Sequence, residues 1–464
     1  MEDKSNAKKL GLLACIATGI GAIIGSGIFG SLPSEINEIG DAVVIAFILA
    51  TIYRLASAFP AVYSSSIIPA SGSFFLMPTK LIHPVVGLYM AVQNLLQPVL
   101  ISVFAVLFAD YFVTLFPGLQ GHERAVAIVV LVIYAIMAYM GNYLFASINS
   151  LIVIIMLVAI FMYILLGLPN IDSSKISVSA AMGAGVKFTS IGAAVSVFAS
   201  CLSGGSAVSQ IADDVKNPRR DVPLALILSP ILVAVIYILM AIVTLGHMEG
   251  AEITTLADVG STFLGKTMVT FFIVGGPICG VLTSMVPVIM LTCAQIQAAA
   301  ECEVFPVALA KKNKHGVSTG ILVYTMAFAA VCVATGSSFG VLMTVFSAVN
   351  ALADIPTCIV PFFLKKRYPH ACNYAGMNFP FPFIVATAIF AAIVAVYLAF
   401  TAFQSLGAGV YMIIFAYMAA AVIYFIIRIK YLKGKGIDLI ADLKVPYEAW
   451  EEREKECAAM DAAK

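Results

Sequence analysis

Hydrophobic residues in this chain come in windows of about 20, the length that crosses roughly 30 Å of hydrocarbon, separated by short polar stretches. About twelve windows can be placed, near 11–31, 41–66, 85–115, 124–141, 146–168, 188–211, 222–246, 268–300, 317–335, 339–364, 382–403 and 407–431. The pattern predicts an all-α membrane protein of about 12 transmembrane helices. Two windows are interrupted near their centres. Between Gly19 and Gly30 the first carries five glycines and Ser26 where an ordinary span would carry leucines, and the sixth reads Ser200-Cys201-Leu202-Ser203-Gly204-Gly205-Ser206. Unwound backbone at membrane depth is tolerated only where protein buries it or it lines a watery cavity, so both are expected to be broken helices beside a binding site. The plainer alternative is close helix packing through small residues, for which Gly21 and Gly25 have the spacing.

Two breaks five spans apart are what an inverted five-plus-five repeat predicts, with the site at the repeat interface and two further helices. The expected organisation is a tail over 1–9, a first five-helix repeat over 10–168, a second over 188–364, helices 11 and 12 over 382–431, and a tail over 432–464. Basic residues orient this frame. Lys4, Lys8 and Lys9, Lys80, Lys216 to Arg220, Lys311 to Lys314, Lys365 to Arg367 and the segment after Arg428 all fall on one side. The positive-inside rule makes that side cytoplasmic, with both termini there and the chain multi-pass in the cell membrane.

Composition excludes other classes. At 61% hydrophobic and 11% charged, with a net charge of +1, the chain is no soluble globular protein and offers no basic stripe to nucleic acid. Its nine cysteines form no Cys-x-x-Cys or metal-spaced cluster. No removable signal peptide is read, because the polar amino terminus runs straight into a glycine-interrupted span. All five histidines fall in predicted loops, which disfavours an integral-membrane enzyme, and no filter repeats as a channel would need. No cofactor is expected; the partners are the lipid bilayer and a small amino acid or amine.

Gly25-Ser26-Gly27-Ile28-Phe29 resembles the first-helix signature of the amino acid, polyamine and organocation transporter superfamily. Pro69-Ala70-Ser71-Gly72-Ser73, the stretch from Asp213 to Pro223, and the charged segment from Glu301 to His315 resemble its later motifs in order and spacing. The resemblance implies a LeuT-like fold and a secondary transporter, permease or exchanger, working by alternating access. It places the substrate carboxylate on Ser26 and Gly27 and the α-ammonium on the carbonyl of Ile23 and those near Ser200 and Ser203, with Gly25, Cys201 and Gly204 also among the substrate-binding residues. Helix dipoles favour the same division.

Departures narrow the substrate. The sixth span lacks the aromatic gate and the acid that this family often carries, Phe198 being the nearest aromatic, so a neutral or bulky amino acid is favoured over a polyamine or cationic amino acid. Asp354 is the residue that could overturn this. Arg54 has no acid within one turn, and its partner is left open. Gln93 and Gln97 share a face of the third span and could border the site. No metal is assigned, although Thr283 and Ser284 could form a sodium site. The fifth span has no lysine, which removes the usual means of proton coupling and leaves the coupling ion open. A non-transporting sensor on the same fold is the alternative of a different class.

Overall fold

The computed structural model describes residues 11–25, 27–68, 73–140, 143–171, 187–206, 215–248, 252–375 and 379–463. In chain order the helices are α1 (Leu12–Ile23), α2 (Gly27–Ile39), α3 (Val43–Ile67), α4 (Ser73–Met77), α5 (Pro84–Leu96), α6 (Pro98–Leu115) and α7 (Glu123–Tyr139). There follow α8 (Tyr143–Gly167), α9 (Phe188–Cys201), α10 (Pro218–His247), α11 (Leu256–Gly260), α12 (Lys266–Ile273), α13 (Cys279–Glu301) and α14 (Thr319–Ala334). The last are α15 (Phe339–Arg367), α16 (Pro369–Asn373), α17 (Phe381–Ser405), α18 (Ala408–Lys433), α19 (Leu439–Lys444) and α20 (Glu448–Ala462). No strand occurs among the described residues.

Among the described residues, seven stretches are long and apolar enough to cross a bilayer, and four shorter apolar helices accompany them, so the protein is multi-pass. Burial sorts the spans by depth. In Lys266–Glu301, 72% of the most apolar window is buried by protein, against 6% in Ala408–Lys433. On α18 Met412, Ile413 and Phe415 are exposed, as are Ile393 and Phe400 on α17. A helix that is apolar all round yet uncovered by protein is solvated by lipid. The interior is organised around α3, which packs on α9, α10, α15 and α17, while α1 lies along α10.

Loops sort to two faces. On one, the Arg367 guanidinium donates to the Lys80 carbonyl at 2.9 Å, and the Lys80 ammonium to the Asp442 carbonyl at 3.2 Å. Arg428 reaches the carbonyls of Glu303 and Phe305 on that face too. Burial is the main cause that lowers the Lys80 pKa. On the other face, Asn37 at the end of α2 exchanges two hydrogen bonds with the backbone of Ile253, at 2.8 and 3.1 Å. Nearby, the Tyr111 hydroxyl donates to the Phe29 carbonyl at 3.0 Å and accepts from the Leu256 N–H at 3.1 Å, joining α6, α2 and α11.

The carboxyl-terminal segment forms α19 and α20 and docks on the loop after α15. Trp450 is buried there, edge-on to the Tyr368 ring. The Glu454 carboxylate accepts the N–H groups of His370 and Ala371 in α16, at 3.0 and 2.7 Å. Asp461 accepts from His370, Asn373 and Tyr374.

Candidate functional site

The first interruption forms where the sequence places it. α1 ends at Ile23, Ile24 leaves helical geometry, and the Gly25 N–H turns back to the Ile23 carbonyl at 2.7 Å before α2 resumes at Gly27. A Cβ on Gly25 would stand 2.4 Å from Ser284 Oγ, and one on Gly27 would stand 3.2 Å from Cys201 Sγ. Glycine is therefore favoured here by close approach. Gly21 packs against Val153, so the packing role considered for Gly21 and Gly25 operates alongside the break. Ser26 lies outside the described residues, as do Pro69 to Gly72 and Asp213 and Asp214 of the family-like motifs.

The second interruption follows Cys201. α9 gives way to a 3-10 turn over Ser203–Ser206, and the Ser203 hydroxyl caps the freed Ser200 carbonyl at 2.6 Å. The thiol of Cys201 donates to Ser31 Oγ of α2 at 3.4 Å. Gly27 and Cys201 thus bring the two breaks into contact in the protein interior, with Gly25 held against Ser284. The Ile23 carbonyl, expected to receive the ammonium, already accepts the Tyr237 hydroxyl at 3.2 Å as well as the Gly25 N–H. Two donors match a carbonyl's two lone pairs. Phe198 is no exposed gate: it is fully buried and stacked on Phe47 with ring centroids 3.7 Å apart.

The cavities lie on another side of α9. The larger has about 830 Å³ of empty space including its mouth, and runs from Arg54 and Asp354 along Ser57, Ala61 and Ser65 to Met77. The smaller, about 220 Å³, is lined by Tyr53, Ser196, Ser200, Ser347 and Asn350. Arg54, Ser203 and Asp354 belong to both. Among the described residues, neither is lined by α1 or α2.

Arg54 finds its partner here. Its Nη1 lies 3.3 Å from Asp354 Oδ2, to which the Tyr53 hydroxyl also donates at 2.8 Å. The acid is a full 300 positions away in the chain, so no local pattern could pair it with the arginine. Tyr53, Ser196 and Asn350 were not singled out either. A polar side chain inside an apolar window was the available signal.

Gln93 donates to Tyr89 Oη one turn earlier, and Gln97 to Asn350 Oδ1 at 3.4 Å, so only Gln97 approaches a cavity wall. Thr283 bonds back to the Gly280 carbonyl, whereas the Ser284 hydroxyl is buried without a partner among the described residues. Gly204, beside Ser203, is half-buried in the 3-10 turn. Among the described residues no cluster of His, Cys, Asp and Glu could hold a metal.

Sequence comparison agrees with a polytopic membrane protein. The family model described as "Amino acid permease" matches residues 10–427. The methylthioribose transporter of Bacillus subtilis (strain 168) is 28% identical over 307 residues, which are 61% of this chain and 65% of that protein. The branched-chain amino acid permease BcaP of the same organism is 24% identical over 61% of this chain and 65% of its own length. Cationic amino acid transporter 1 of Arabidopsis thaliana is 31% identical over 48% of this chain and 40% of its own. The matched stretch thus spans just under two thirds of the first two relatives. With a family match that runs from the first helix to α18, the chain belongs to the amino acid permease family.

Proposed function

We propose that this protein is a secondary transporter that carries a neutral α-amino acid by alternating access. The observation that carries the reading is the contact between the two helix breaks, Gly27 against Cys201, in a buried interior. There the free N–H groups at the start of α2, with Ser26, would hold a carboxylate. Because the Ile23 carbonyl already has two donors, the ammonium is assigned chiefly to the α9 end, where it would displace the Ser203 hydroxyl from the Ser200 carbonyl. In this reading about twelve spans cross the membrane, with repeats at 10–168 and 188–364, helices 11 and 12 at 382–431 and both tails in the cytoplasm.

Charge supports a neutral cargo. Asp354, the acid in the cavity wall, is already met by Arg54, so a cationic side chain finds no uncompensated carboxylate there. The branched-chain permease among the relatives fits this.

Counterflow tests the reading. Proteoliposomes loaded with one unlabelled amino acid should accumulate its labelled form, saturably, when all twenty are surveyed one by one. Linear, unsaturable flux with every amino acid would sink the carrier assignment. Replacing sodium by choline should leave uptake little changed, since Thr283 is engaged with its own helix; a strict sodium requirement would assign Ser284 to an ion site.

A further inference from the structure

We propose that the cavity between α3, α9 and α15 is a second zwitterion-binding site, built on the Arg54–Asp354 pair and adjoining the site at the helix breaks through Ser200 and Ser203. The pair is a poor salt bridge and a good receptor. Guanidinium and carboxylate normally meet side by side through two bonds of about 2.7–2.9 Å. Here a single Nη1 contact of 3.3 Å joins them, and Tyr53 crowds onto the same Oδ2. Oδ1 of Asp354 and the remaining N–H groups of Arg54 have no partner among the described residues. The two side chains are 18% and 17% exposed, and both face the cavities.

A third group points the same way. Ser196 lines the inner cavity at 2% exposure, and its hydroxyl has no hydrogen-bond partner among the described residues. A buried hydroxyl without a partner is a cost that a bound ligand removes. One species satisfies all three groups without changing the charge of the site: a carboxylate takes the open N–H groups of Arg54, an ammonium takes Oδ1 of Asp354, and either end reaches Ser196. A lone anion or cation would leave one charge of the pair less compensated than before. The outer wall of Val62, Met77 and Leu226 accepts an apolar side chain. The ligand class is a neutral α-amino acid, and Ser203, shared by both cavities, links this site to the α9 break.

The test uses the full chain in lipid nanodiscs and equilibrium binding of each of the twenty tritiated L-amino acids. S26L plugs the site at the helix breaks; S26L/R54Q removes the guanidinium; S26L/S65F fills the outer cavity and leaves the ion pair alone. At least one amino acid should bind S26L at about one per chain, and both added substitutions should weaken it about 10- to 100-fold. Its deaminated and decarboxylated analogues should each compete at least about 10-fold less well. If S26L is not monodisperse, wild type should bind two per chain and S65F one. Binding by S26L to none of the twenty, binding indifferent to S65F, or equal competition by the amine or the acid alone would each overturn the proposal. The site does not depend on the transport reading: counterflow that fails while S26L still binds sinks only the carrier, and the reverse sinks only this site.

Discussion

A methyl group on Gly25 would sit 2.4 Å from Ser284 Oγ and 3.2 Å from its Cβ. G25A therefore pushes the first break away from α13, at about 1–3 kcal/mol for an overpacked contact. Counterflow should fall at least tenfold, and S284G in the same chain should restore much of it, because both crowding atoms are gone. Wild-type flux in G25A would mean that the approach has no part in transport. The Arg54–Asp354 pair makes a different demand. Removing one partner strands the other, so R54Q or D354N alone should cost about 1–3 kcal/mol, and the apolar double variant R54M/D354L less than the sum. Thermal melting in detergent reads both. At this scale the sequence was informative about which residues are unusual: it singled out Gly25, Gly27, Cys201, Arg54 and Asp354. It could not say which of them touch, because Gly27 meets Cys201 and Arg54 meets Asp354 across long stretches of the chain, where no periodicity connects them.

Among the elements, interrupted helices were legible because small residues replace leucine at the centre of a span, and the structure ends α1 and α9 at those places. The docking of α20 was not, since a charged tail shows by pattern only that it prefers water. Its grip on α16 is electrostatic and therefore depends on pH. Hydrogen bonds from His370, Tyr374 and Asn373 hold the Asp461 carboxyl down at about 2. A carboxylate depressed in the folded state contributes above its ordinary value of about 4, and the contribution fades as pH falls through the folded value. The Asp461 contribution to docking should accordingly fade as pH falls below about 4. D461N should loosen it at neutral pH, seen as faster tryptic cleavage at the exposed Lys444. Unchanged cleavage in D461N would show that Glu454 and Trp450 suffice.

Across the whole molecule, the hydrogen bonds of Arg367, Lys80 and Arg428 gather loops that the charge pattern had already assigned to one side. Orientation follows as a prediction. In cells, a membrane-impermeant maleimide should label Q120C from outside, while K444C should react only after permeabilisation; the opposite result would invert the frame. The lipid-facing character of α18 was visible as unbroken hydrophobicity. The position of the cavities was not, since they arise where three helices distant in sequence fail to fill space.

The Tyr111 oxygen has a mechanical consequence. It gives its proton to Phe29 and takes one from Leu256, so three helices are riveted through one atom. Parting α2 from α11 must break at least one of these two bonds, together with the pair that Asn37 makes with Ile253. This face should then behave as a catch instead of a soft hinge. Deleting the hydroxyl in Y111F would leave the ring in place and take away both bonds, so that α2 should part from α11 more easily with no ligand present.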